Sequence, residues 1–221
     1  MSVTKRILCL ANSRKRTERC VAGIEIIDHK PAGWIRPVSG RPDHEISPKE
    51  RRLTNGDEPR LLDLIDIPVR EHSPWLHQHE NWLIDQHEGW TFVKSIAWEH
   101  LALVVDKTES LWPNGHHSKH GVNDHVPLEE AESLETSLKL IHVPNVQLTV
   151  FKQYYRPQLR ARFSSCGDEY VLKVTEPIME ADYFARGDGE YELGESYLTI
   201  SLSEPFQGAC YKLAAAVIPK P

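Results

Sequence analysis

From residue 146 to the C-terminus the apolar residues come in short runs closed by turn signals, and this punctuation constrains the fold more than any other feature of the chain. Val146–Phe151, Leu159–Phe163, Tyr170–Val174, Tyr197–Leu202 and Tyr211–Ile218 read as strands. Arg156-Pro157, Cys166-Gly167-Asp168 and Gly187-Asp188-Gly189 separate them, and the glycines of GDGEYELG suit a hairpin turn. Strands this short and this closely spaced fit a small antiparallel barrel or sandwich.

The first part of the chain is mixed. Residues 5–11, Cys20–Ile27, Trp34–Val38 and Leu61–Val69 read as strands, with a turn over His29–Gly33 and with Pro37 pushing the third towards an edge. Gly40–Pro59 is a polar loop, and residues 71–92 are irregular and rich in Trp and His. Spacing predicts an amphipathic helix over Lys94–Val105, and acids early with Lys139 late predict a second over Leu128–Leu140. Composition changes near His142-Val143-Pro144. The expected architecture is therefore mainly β with some α: an N-terminal barrel-like half with a helical insertion (1–142), a C-terminal small antiparallel barrel or sandwich (143–221), and a short helical connection.

The net charge of -6 argues against a protein that coats duplex DNA by bulk electrostatics. The distribution is uneven, with 13 Lys and Arg against 8 Asp and Glu in residues 1–60, which leaves 13 against 24 in the rest. No apolar run approaches the roughly 20 residues that span a bilayer, so no membrane partner is expected. The apolar core of the first residues is too short for a signal peptide, and the expected location is cytoplasmic. Four scattered cysteines without a Cys-x-x-Cys pair read as buried or semi-buried thiols rather than a zinc or disulfide framework.

Ser13, Arg14, Lys15 and Arg19, followed by Arg36 and Ser39, supply what phosphate recognition needs, because charge-assisted bonds to phosphate oxygens are the strongest that side chains make. Trp34 is near in sequence and could stack on a base. In the segment Trp75–Trp82, Gln78 and Asn81 could read base edges and Trp82 could supply a platform, although two buried rings pinning a loop explain the same residues. His116, His120 and His125, with His117 and Asp124, offer a weak metal set, set against an exposed polar loop. Asn123 and Asp124, in the turn Gly121-Val122-Asn123-Asp124, suit a pocket wall. Arg160 and Arg162 share a strand face and could extend a basic groove. Lys212 lies in an apolar run and is expected to pair with Glu204 or to reach a ligand phosphate. No phosphate loop, nucleophile elbow, zinc-protease or dinucleotide signature is present, and no cofactor is called for.

Several blocks together resemble a known family. They are Ala11–Lys15, Arg19–Ile24, Gly33–Ser39, Gln78–Trp82, Gly121–Asp124, and Ser201–Phe206 leading to Tyr211–Ala215. In this order they are similar to a prokaryotic dual OB-containing domain family over nearly the full length. The resemblance implies two OB-like barrels and binding of single-stranded nucleic acid or a nucleotide, in the setting of prokaryotic conflict and defence systems. Two other readings stay open. One is an adaptor that binds a protein partner in a defence complex, and the other a nucleotide-directed enzyme using the His-rich loop.

Overall fold

The computed structural model describes residues 2–221. The chain divides into two compact units, Met1–Val104 and Val105–Pro221.

In the first unit, β1 (Val3–Lys15) is followed by β2 (Glu18–Ile27), β3 (Lys30–Val38), the single helical turn α1 (Pro48–Arg51), β4 (Asp63–His72), β5 (Asn81–Ile84) and β6 (Thr91–Ser95). β1 is long because it serves two partners. Val3–Leu8 pair with β4, and Ile7–Lys15 pair with β2 across a register shift between Cys9 and Ala11. The pairings run β1-β2-β3-β5-β4 and return to β1, and β3–β5 is the parallel pair. Ile7, Cys9, Val21, Ile35, Ile65, Ile67 and Trp90 fill the interior. Gly23 sits where a Cβ would lie 2.1 Å from the Leu8 carbonyl oxygen, so only glycine lets the strands approach this closely.

The second unit repeats the circuit. It comprises β7 (His125–Pro127), the turn α2 (Leu128–Ala131), β8 (Leu138–Gln153), β9 (Arg156–Ser165), β10 (Asp168–Val174), α3 (Pro177–Arg186), β11 (Gly189–Leu202) and β12 (Ala209–Pro219). The pairings run β8-β9-β10-β12-β11 and return to β8, again with the third strand parallel to the last. Along β9, Leu159, Ala161 and Phe163 point inward and alternate with Arg160 and Arg162, as a pleated strand requires. Two six-stranded sheets of this kind make the chain mostly β with two OB-like domains.

Four sequence expectations are corrected. The boundary at 142/143 falls inside β8, whose Leu138–Val143 half pairs with β11, so the units meet at 104/105 instead. Moving the boundary leaves 15 basic and 15 acidic residues in the first unit and 11 against 17 in the second, so the positive excess belongs to the first three strands only. The helix expected over Lys94–Val105 is the end of β6 followed by a short 3₁₀ helix, Trp98–Leu103. The open edge of β4 pairs with Thr91–Ser95, and ladder bonds there outcompete an isolated helix. The helix expected over Leu128–Leu140 stops at Ala131, because Leu138 onward is drawn into β8.

The fourth correction is GDGEYELG, which is not a hairpin. Gly187 ends α3 at φ 95°, with its N–H on the Phe184 carbonyl, and β11 begins at Gly189. α3 itself was unforeseen. Its start is written as Glu176-Pro177: the Glu176 carboxylate accepts from the Ile178 and Met179 N–H groups, and proline opens the helix. Pro37 is tolerated because it lies beyond the last β2 partner of β3, where no donor is needed on that side.

Candidate nucleic-acid interface

The β1–β2 hairpin ends in the two-residue turn Arg16-Thr17, with Lys15 opposite Glu18 and Arg14 directly opposite Arg19. Arg14 and Arg19 thus set two like charges side by side at the end of the hairpin. Arg14 and Arg16 are exposed, Lys15 and Arg19 half-buried, and Arg16 is paired with Asp43. Ser13 is buried, and its hydroxyl faces the Cys20 carbonyl at 3.5 Å, so it shapes the hairpin rather than the surface.

Arg36 departs from expectation. It is 2 % exposed, its guanidinium lies 3.3 Å from a Glu80 carboxylate oxygen and donates to Asn81 Oδ1 at 3.2 Å, and its own N–H donates to the Glu80 carbonyl at 2.7 Å. Asn81 in turn donates to Gln78 Oε1 at 3.4 Å. The blocks at 33–39 and 78–82 therefore interlock, and Arg36, Gln78 and Asn81 are buried positioning groups rather than surface contacts. Ser39 is buried as well and donates to Glu50 at 2.6 Å. Burial alone would raise the Glu50 carboxyl, but hydrogen bonds from Ser39 and Ser47 and the charge of Arg41 bring it below the ordinary range.

The aromatic residues separate in the same way. Trp82 has Lys5 Nζ 3.9 Å from its ring centroid and the His72 ring at 5.2 Å, so it is a packed ring and not an open platform. Trp34 ends a row of directly opposed residues, Leu64, Leu8, Ile24 and Trp34, on the face away from the interior, and is half-buried. Trp75 is 40 % exposed and lies in the connection between β4 and β5. There Trp75 and Gln78 exchange backbone hydrogen bonds around Leu76 at φ 49°. OB-type domains bind oligonucleotides on the face of the second and third strands and on the connections 1–2 and 4–5. In the first unit those connections carry Arg14–Arg16 and Trp75.

In the second unit Lys212, Asn123, Asp124 and Arg160 gather around the loop 113–124. Lys212, 1 % exposed, donates to the Pro113 carbonyl at 2.8 Å and to Asn114 Oδ1 at 2.7 Å, and these are its partners in place of the expected Glu204. Burial pushes its ammonium down to about 8, against the charges of Asp124 and Asp168. Asp124 accepts from the Ser118 N–H and hydroxyl, contacts His125 at 3.1 Å and has Arg160 at 3.6 Å. Burial works to raise its carboxyl, and these partners hold it below the ordinary range. Asn123 accepts from the Gly115 N–H and donates to the Glu169 carbonyl. Gly121 is required, since a Cβ there would lie 1.8 Å from Asp124 Oδ2.

The block at 121–124 and Lys212 thus tie down the loop 113–124. Arg162 is paired with Glu169, so with Asp124 beside Arg160 the two arginines share a face, as expected, but each has an acid of its own. His116 lies 3.5 Å from Glu130 and its ring 5.6 Å from that of His125, His120 packs on Phe151, and His117 accepts from the Asn123 N–H. Among the described residues no group of three His, Cys, Asp or Glu is arranged to hold a metal.

Sequence reasoning also missed a cavity of about 630 Å³ in the first unit. Leu8, Ile26 and Leu64 line it together with His29, Lys94 and His100. No residue singled out from the sequence lines it. The chain is thus a protein of two OB-like domains, each a six-stranded sheet with the same pairing circuit. It belongs to the dual OB-containing domain family, whose description matches residues 5–217. Comparison with curated proteins and with solved structures found no match. No helix among the described residues is long and apolar enough to cross a membrane.

Proposed function

We propose that this protein binds single-stranded nucleic acid or a nucleotide through the basic β1–β2 turn of its first unit, in the cytoplasm and in the setting of prokaryotic defence. The observation that carries this reading is Arg14 directly opposite Arg19, next to Lys15 and Arg16, on a connection that OB-type domains use for oligonucleotides. Trp75, exposed on the other such connection, is the first unit's base platform in this reading. Arg36, Gln78 and Asn81 serve it indirectly, by fixing the segment that carries Trp75.

The test is fluorescence anisotropy with labelled 12-nucleotide single strands. Replacing Arg14, Lys15 and Arg16 together by alanine is expected to weaken binding at least tenfold while the fold persists by circular dichroism. Equal affinity of the triple variant and the wild type excludes this surface.

A further inference from the structure

The strands β8 and β9 are joined by two residues only, Tyr154 and Tyr155, with Gln153 paired to Arg156 across the turn. Both tyrosines have positive φ, 49° and 62°, and they are 84 % and 99 % exposed. A two-residue hairpin of this geometry is ordinarily built from Asn-Gly or Asp-Gly, because β-carbon crowding disfavours positive φ and is worst for bulky side chains.

The chain itself supplies the comparison. The β2–β3 turn has the same form and uses Asp28-His29, and the β9–β10 turn uses Cys166-Gly167. Asp, His and Gly are residues that accept this conformation, whereas a Tyr-Tyr pair is the least suitable of the three. Folding therefore does not select these side chains, and neither does packing, since almost all of both is in solvent. Strain combined with full exposure of large rings is the signature of a contact made with something else.

The surroundings say what that something is. Residues 147–167 contain no acid and four bases inside a unit that is otherwise acidic; Arg160 and Arg162 meet Asp124 and Glu169, which leaves Lys152 and Arg156 as the cations beside the turn. Lys152 and Arg156 flank the tip and are exposed. Two planar rings between two cations fit stacked bases with their phosphates on either side.

We propose that Tyr154 and Tyr155 form a base-stacking tip for single-stranded nucleic acid, a second contact separate from the basic turn of the first unit. It rests on the nucleic-acid reading and extends it to a unit in which Lys212, Asn123 and Asp124 are engaged in holding a loop. The two units then divide the chemistry between equivalent connections, with charge on the β1–β2 turn and aromatic rings on the β8–β9 turn.

Replacement by the residues the turn prefers provides a clean test. Tyr154→Asn with Tyr155→Gly removes both rings and relieves the backbone, so its melting temperature equals or exceeds that of the wild type. Its affinity for a single-stranded 12-mer is expected to fall at least tenfold, since each lost stack weakens binding severalfold or more. Tyr154→Phe with Tyr155→Phe keeps the rings and is expected to bind within about twofold of wild type. Irradiation of a 5-iodouracil-containing strand is expected to crosslink Tyr154 or Tyr155, read by mass spectrometry. Unchanged affinity in the Asn-Gly variant, with the wild type binding, overturns the stacking tip and leaves the first-unit reading standing. Failure of the wild type to bind any single strand overturns both.

Discussion

Replacing Lys212 with methionine keeps the volume of the side chain and removes its charge, which turns a buried ammonium into a measurable slope of stability against pH. In the folded protein that ammonium titrates at about 8, because its burial outweighs the charges of Asp124 and Asp168, whereas its ordinary value is 10.5. Between those values the unfolded chain holds a proton that the folded chain has released, so unfolding takes up a proton and stability rises with pH. Each pH unit in that window is worth about 1.4 kcal/mol, and by pH 10 the gain from this one group reaches about 2–3 kcal/mol. Methionine has no such gain. Urea unfolding of both proteins at pH 7, 8, 9 and 10 isolates it, because groups shared by the two proteins cancel in the difference. The stability of wild type minus variant is expected to be flat near pH 7 and to climb above pH 8. A constant difference from pH 7 to pH 10 refutes the account of Lys212 as a desolvated ammonium.

Two further substitutions test the positioning networks. Arg36→Met leaves the Glu80 carboxylate in a buried site without its guanidinium and is expected to cost about 3 kcal/mol by urea unfolding, a loss that a surface phosphate contact would not show. Gly121→Ala drives a Cβ into Asp124 Oδ2 and is expected to cost about 1–3 kcal/mol, with protection of the Ser118 and Asn123 amides against hydrogen exchange lost first.

Strands were legible where the pattern is local. Tyr170–Val174 and the turn at Cys166-Gly167 stand as the alternation and turn residues predict, because a strand's period and a glycine's freedom are properties of a few residues. The ends of strands were not legible, since they depend on partners distant in sequence. β8 reaches back to Leu138 only because β11 offers it a ladder, and β6 exists only because β4 has an open edge. The helical periodicity over Lys94–Val105 comes from apolar residues with separate roles, Ile96 and Val104 in the cavity lining and Leu101 fully buried.

Candidate residues sorted by the same logic. Arg, Gln and Asn chemistry singled out the blocks at 33–39 and 78–82 as two separate candidates, and their interlocking was not legible, because residue type cannot distinguish a guanidinium that meets a phosphate from one that meets Glu80. Trp82 and Trp75 are chemically identical, and only the cation at Lys5 and the ring of His72 show which one is already used. Tyr154-Tyr155 escaped notice because a two-residue turn announces itself by glycine or asparagine, and this one has neither.

The central claim is that a small basic surface on the first unit binds phosphates, and its most direct test is the salt dependence of single-strand affinity. The logarithm of the association constant for a 12-nucleotide strand, followed from 50 to 300 mM salt, is expected to fall linearly for the wild type. With Arg14, Lys15 and Arg16 replaced by alanine the slope is expected to be shallower by about 2, since each lost phosphate contact to a single strand removes about 0.7. A slope unchanged by the three replacements, or a wild-type affinity indifferent to salt, contradicts the account.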